Sequence, residues 1–236
     1  MNTAPILLFT YKRLDVLRQT VDALKNNPLA GESDLFIFSD AAKHAREEFA
    51  VSEVRNYIRQ ISGFKSLRIT EAKSNKGLAS SIIYGVSKVL ERHDSVIVLE
   101  DDLVASKNFL IYMNTALQQY RDDPKVFSIS GYNIPTAVED NYKYDAYFLP
   151  RASSWGWASW RNRWIDIDWS VSDFESLKNN PKRRQAFNQG GSDMFDMLKK
   201  AMENKIDSWA IRWCYSQFKK SAYCISNFVK NKKYRF

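Results

Sequence analysis

The sequence has two cysteines, Cys214 and Cys224, too few for a disulfide framework, and two histidines, His44 and His93, too few to dominate a metal site. Its apolar runs are short, residues 6–9 and 96–99 among them, and none approaches the ~20 residues that a membrane-spanning helix needs. No basic leader with an apolar region and a small-residue cleavage site opens the chain, so secretion is not expected and a cytoplasmic location is. GxxxxGK[ST] is missing, and no GxGxxG follows the first apolar run. Those two absences exclude a Walker-type nucleotidase and a dinucleotide-binding Rossmann protein. No linker rich in Gly, Pro or Ser and no internal repeat divides the chain. What is present is core-forming material: 44% hydrophobic and 14% aromatic residues in a chain of 236. That is enough to bury one sizeable core and excludes a disordered or low-complexity protein.

Acidic residues are short by eight, 27 against 35 Lys+Arg, for a net charge of +8. The excess is local. Lys219, Lys220, Lys230, Lys232, Lys233 and Arg235 stand in the last 18 residues without an acidic neighbour, leaving 29 basic against 27 acidic residues before them. A nearly neutral body argues against a nucleic-acid partner. The tail is suited to peripheral contact with an anionic membrane surface at the cytoplasmic face, or is a solvated terminus.

Short apolar runs alternate with helical patterns through the first half. Residues 5–10 (PILLFT), 34–40 (DLFIFSD), 67–70 and 95–99 (SVIVL) read as strands. Leu14, Leu17, Val21 and Leu24 recur at helical spacing, as do positions in 49–61, in 78–90 behind Gly77, and in 107–120. Strict alternation predicts a mostly parallel α/β sheet flanked by helices, with ligands beyond the carboxyl ends of its strands. The second half reads as helical, over 183–187, 193–202 and 211–218, and holds all seven tryptophans between Trp155 and Trp213. One domain is expected, with a ligand-binding half at 1–130, a Trp-rich half at 131–218 and a basic tail at 219–236.

The sharpest signal is Glu100-Asp101-Asp102, where the fourth apolar strand ends in three carboxylates. Like charges so close repel and call for compensation. Mg²⁺ or Mn²⁺ would supply it and still hold substrate phosphates; alternatively Asp102 caps the next helix. Such a cluster also suits a Mg²⁺-dependent phosphoryl-transfer or receiver-like domain.

This motif, followed by Leu103-Val104 and Phe109, resembles the acidic motif of GT-A-fold glycosyltransferases, in the EDD form of the N-acetylglucosaminyltransferase I type and of bacterial family 2-like sugar transferases. Thr10-Tyr11-Lys12-Arg13 is similar to the donor-nucleotide loop, Ser39-Asp40 to the strand end that holds uracil, and Asn75-Lys76-Gly77-Leu78 to the loop beside the nucleotide. Residues 151–164 (RASSWGWASWRNRW) resemble the entry to the acceptor half, and Asp207-Ser208-Trp209 with Arg212-Trp213 resembles the catalytic-base helix. The resemblance implies a GT-A (Rossmann-like) fold and a metal-dependent glycosyltransferase, moving sugar from a nucleotide-sugar donor, UDP-linked by preference, to a hydroxyl on a glycan or lipid-linked glycan. A degenerate sugar-nucleotide or glycan-binding module that kept the fold is the non-enzymatic alternative.

Carried over residue by residue, Asp102 is the metal ligand, with Glu100 and Asp101 holding donor hydroxyls or waters. Thr10 and Arg13 belong to the donor loop, where Arg13 could fork onto a diphosphate. Asp40 would accept from a uracil imide, and Asn75 and Lys76 precede a helix whose N–H groups favour phosphate. Asp207 is the general base, preferred to Asp193, and a single base implies inversion. Trp155 and Trp157 share a face if extended, where a pyranose ring could stack on one of them. No His follows Asp207, so a third protein ligand for the metal is expected to be missing or replaced by water.

Overall fold

The computed structural model describes residues 3–132 and 142–227. The first half follows the predicted alternation: β1 (Ile6–Thr10), α1 (Leu14–Lys25), β2 (Asp34–Ser39), α2 (Glu48–Ile58), β3 (Ser66–Glu71), α3 (Leu78–Leu90), β4 (Ser95–Glu100) and α4 (Phe109–Gln119). β1 is buried along its whole length, as a central parallel strand covered on both faces must be. Its alternate side chains divide the core. Leu7 and Phe9 enter one apolar cluster with α3, and Ile6 and Leu8 enter another with α1 and α4.

The second half holds the predicted helices and adds strands that the sequence pattern does not mark. It adds β5 (Val126–Ser130), β6 (Ala146–Leu149) and β7 (Trp157–Trp160), then α5 (Arg161–Trp164), α6 (Phe174–Lys178), α7 (Pro181–Phe187), α8 (Met194–Met202), α9 (Trp209–Lys219) and β8 (Tyr223–Asn227). All eight strands form one sheet in the order β3-β2-β1-β4-β7-β5-β8-β6. β7 is antiparallel to both β4 and β5, so β4 and β5 point the same way; β8 is parallel to β5, and β6 antiparallel to β8. The sheet is therefore mostly parallel, with β7 and β6 reversed.

One boundary changes. Residues 219–227 are not tail: Lys219 closes α9, and β8 is an interior strand whose Cys224 and Ile225 are buried. Lys219 and Lys220 pair with Asp173 (3.1 Å) and Asp166 (3.8 Å). Lys230, Lys232, Lys233 and Arg235 lie outside the described residues. Among the described residues no helix is long and apolar enough to cross a membrane.

Trp157 is also corrected as an acceptor residue. It is 1% exposed and packs against Trp213, Trp209 and Trp164 at ring-centroid distances of 4.4, 5.2 and 5.6 Å. Gly156 has φ +63°, which breaks the extended alternation, so Trp155 and Trp157 do not share a face. Trp155 stays 55% exposed.

Candidate functional site

Beyond the carboxyl ends of β1, β2 and β4 lies a cleft of about 390 Å³, lined by residues of the 9–13, 38–47, 75–81 and 100–101 segments. Asp101 is buried beneath it. Its Oδ2 accepts from Thr10 Oγ1–H (3.4 Å) and the Tyr11 N–H (3.3 Å), and Arg13 Nη2 bonds its Oδ1. Arg13 Nη1 reaches Asp102 Oδ2 at 2.9 Å. The compensation that three adjacent carboxylates require is thus partly internal, because the Arg13 fork spans two of them. The sequence reading sent that fork to a diphosphate; here it lies across Asp101 and Asp102. Glu100 lines the cleft, and its carboxylate makes no hydrogen bond among the described residues. Burial, then the charges of Asp102 and Asp101, push its carboxyl up to about 7.

Asp40 does not stand free for a nucleobase. Its oxygens accept from the N–H groups of Ala41 (2.9 Å), Lys76 (3.0 Å) and Gly77 (3.0 Å) and from Asn75 Nδ2 (3.1 Å). Five donor contacts fill a carboxylate's four acceptor sites, since Lys76 N–H is shared between both oxygens at 3.0 and 3.2 Å. The uracil role is corrected to a loop anchor. For the same reason the amides of Lys76 and Gly77 face Asp40 rather than phosphate. Asp40→Ala should cost about 1–2 kcal/mol and speed amide exchange at Lys76 and Gly77. Unchanged exchange there would refute the anchor.

Asp207 arrives from the α8–α9 connection at the start of α3, where its Oδ2 accepts the Ala79 N–H at 3.5 Å. A Cβ on Gly77 would meet that oxygen at 3.2 Å, so Gly77 leaves room for the carboxylate as well as supplying φ +77°. Asp207 therefore lies against one rim of the cleft. Its rival Asp193 is held by Arg151 in a two-pronged pair at 2.7 and 3.1 Å, a bond that lowers its carboxyl below the usual range.

A second cleft of about 330 Å³ adjoins the motif, lined by Leu99, Asp102, Leu103, Phe109, Tyr132 and Trp155 among others. Its surface is largely apolar apart from Asp102. Trp155 meets Tyr132 edge-to-face at 4.6 Å. Asp102 is half-exposed and belongs to this second cleft, whereas Glu100 and Asp101 line the first. A larger depression of about 430 Å³ lies at the opposite ends of β1 and β4, around Pro5, Asp94 and Trp160, away from where such sheets hold ligands.

Among the described residues no group of three or more His, Cys, Asp or Glu is disposed to hold a metal. Mg²⁺ or Mn²⁺ nonetheless binds through one or two carboxylates when substrate phosphates and water complete the shell. Half-exposed Asp102 offers one such carboxylate.

Sequence reasoning missed Glu47. It accepts from Tyr11 Oη–H (2.6 Å), Lys12 Nζ (2.6 Å) and the N–H groups of Lys43 (3.1 Å) and His44 (3.3 Å). It also missed Arg55, which donates to the Ala72 carbonyl (2.8 Å) and the Asp40 carbonyl (3.3 Å) and so ties the ends of β2 and β3 together. Glu47 is marked locally only by its capping of the Lys43 and His44 amides; its bonds to Tyr11 and Lys12, like those of Arg55, reach residues brought near by sheet order. Arg212, within the quoted base-helix segment, has a buried Nε without a partner among the described residues.

No family model matches the chain. In an alignment 200 residues long that covers 78% of the chain, it is 24% identical to an alpha-1,3-mannosyl-glycoprotein 2-beta-N-acetylglucosaminyltransferase of Arabidopsis thaliana. The match takes in 45% of that protein, so the chain spans less than half the length of the curated relative it matches. The mannosyltransferase PcManGT of Pyrobaculum calidifontis, solved with GDP-Man and Mn²⁺, superposes with a TM-score of 0.51 at 10% identity, over 94% of this chain and 70% of that one. The fold is GT-A-like, and the sequence similarity to that N-acetylglucosaminyltransferase runs over most of the chain.

Proposed function

We propose that this protein is a glycosyltransferase, moving a sugar from a nucleotide-sugar donor, UDP-linked by preference, to a hydroxyl of a glycan or lipid-linked glycan. The carrying observation is the position of Asp102, which shares one cleft with Trp155 and pairs with Arg13 of the neighbouring cleft at the strand ends. The similarity to the Arabidopsis transferase supports the same reading.

In this reading the donor lies over the Thr10–Arg13 loop, which Asp101 holds from below, beside the Asn75–Lys76 loop that Asp40 anchors. Asp102 would hold Mn²⁺ or Mg²⁺, whose charge offsets that developing on the leaving diphosphate, with Glu100 holding a donor hydroxyl or a water. Trp155 presents an exposed ring to one face of the acceptor sugar. Asp207 takes the acceptor hydroxyl's proton on a carboxylate oxygen as the hydroxyl attacks the anomeric carbon. One base and direct displacement give inversion.

The test is to screen UDP- and GDP-sugars by thermal shift with Mn²⁺ and then to follow nucleoside diphosphate release in the presence of acceptor glycans. A ligand at 100 times its Kd stabilises by ~2.7 kcal/mol. Stabilisation without transfer would identify a binding module, and phosphate release from phosphoesters a phosphoryl-transfer domain; either outcome overturns the proposal. Asp102→Ala should bind UDP equally well in Mn²⁺ and in EDTA, while the wild type binds more tightly with the metal. Persistent enhancement by Mn²⁺ in that variant would remove Asp102 from the metal shell.

A further inference from the structure

Three cationic residues line the donor cleft: Lys12, Arg13 and Lys43. Two are already engaged with carboxylates. Lys12 Nζ lies 2.6 Å from Glu47 Oε1, and Arg13 spans Asp101 and Asp102. For either to meet a diphosphate it must surrender an existing ion pair, so the net gain is reduced by what it leaves behind. The Lys43 ammonium makes no hydrogen bond or ion pair with any described residue.

The backbone beneath it is well fixed. Lys43 N–H donates to Tyr11 Oη (2.9 Å) and to Glu47 Oε2 (3.1 Å). The Glu47 N–H closes the turn on the His44 carbonyl at 2.9 Å, and the Glu47 carboxylate fastens it to the Tyr11–Lys12 loop. Bonds from Lys12 and Tyr11 hold the Glu47 carboxyl down to about 2, so the fastening persists through the neutral range. A compact, exposed ammonium on a pre-set backbone, carried by a residue that lines a cleft whose other cations are neutralised, is a site for phosphate oxygens.

We propose that Lys43 is the principal cationic side chain contacting the donor's diphosphate and that Glu47 is the residue that positions it. This rests on the donor reading of the cleft and deepens it. It places the charge on a residue after β2 that no part of the sequence pattern marks.

UDP and GDP titrated calorimetrically into the full chain in EDTA test it without any metal contribution. Lys43→Gln should weaken binding by roughly 10-fold or more, the size of a charge-assisted hydrogen bond, and Lys43→Arg should recover much of the loss. Lys12→Gln should lose less than Lys43→Gln. Glu47→Gln should weaken binding too, and the Lys43→Gln/Glu47→Gln double variant should be little worse than Lys43→Gln alone, because Glu47 acts through Lys43. A merely structural Glu47 would instead give additive losses. If the wild type binds nucleotide and Lys43→Gln matches it, this inference is wrong while the donor reading stands. If the wild type binds neither nucleotide, with or without Mn²⁺, both fall.

Discussion

Asp207→Asn is expected to bind UDP as the wild type does and to transfer sugar about 10²–10⁴-fold more slowly, the contribution of a well-placed general base. The substitution is clean because of where Asp207 sits. Its Oδ2 accepts the Ala79 N–H at 3.5 Å, and an asparagine oxygen can accept that bond equally, so the start of α3 keeps its partner. What is lost is the ability to take a proton. Asp193→Asn is the matched comparison. It weakens the pair with Arg151 at the start of α8, costing about 1 kcal/mol of stability or less for a part-exposed pair, and should leave transfer intact. Steady-state rates and nucleotide titrations on both variants decide it. Loss of transfer in Asp193→Asn with normal rates in Asp207→Asn would exchange the two assignments.

Trp157→Ala should destabilise the fold by about 3–5 kcal/mol, the cost of removing a large buried aromatic. At ~2–4 °C per kcal/mol for a chain of this size, the melting midpoint falls by roughly 6–20 °C. The indole is 1% exposed and touches three other tryptophans from α5 and α9. It also stands where β7 is registered against Val98 of β4 and Ser130 of β5, so the cavity opens at the seam between the two halves of the sheet. Trp155→Ala, two residues away, removes a half-exposed ring and should change stability by less than about 0.5 kcal/mol while weakening acceptor use. Thermal melts of the two variants separate core from platform. A Trp157→Ala midpoint within a degree or two of wild type would show that the aromatic cluster is not a stabilising core.

Part of this was legible in the sequence because it is local. The alternation of runs such as ILLF with helices such as 78–90 follows from periods of two and 3.6, which a reader can count. A buried strand that stops at Glu100-Asp101-Asp102 marks its own carboxyl end, and the sheet class then says that ligands gather there. Asp207 came only from the family resemblance, and its place at the start of α3 comes from tertiary structure.

Tertiary structure decided the rest, through pairings that join distant stretches of chain. β8, at residues 223–227, pairs with β5 and β6, and no local pattern could say that a short run near the chain end becomes an interior strand. Glu47 meets Tyr11 across 36 residues. Asp40 turns to the amides of Lys76 and Gly77 because sheet order carries the end of β2 to the start of α3, and those donors are nearer and more numerous than any free ligand. Trp155 and Trp157 part company at Gly156, whose φ of +63° reverses the side-chain alternation. Periodicity assigns elements and marks where a site should lie. Which polar groups there remain available to a ligand depends on which of them the fold has already paired, and that is set by three-dimensional proximity alone.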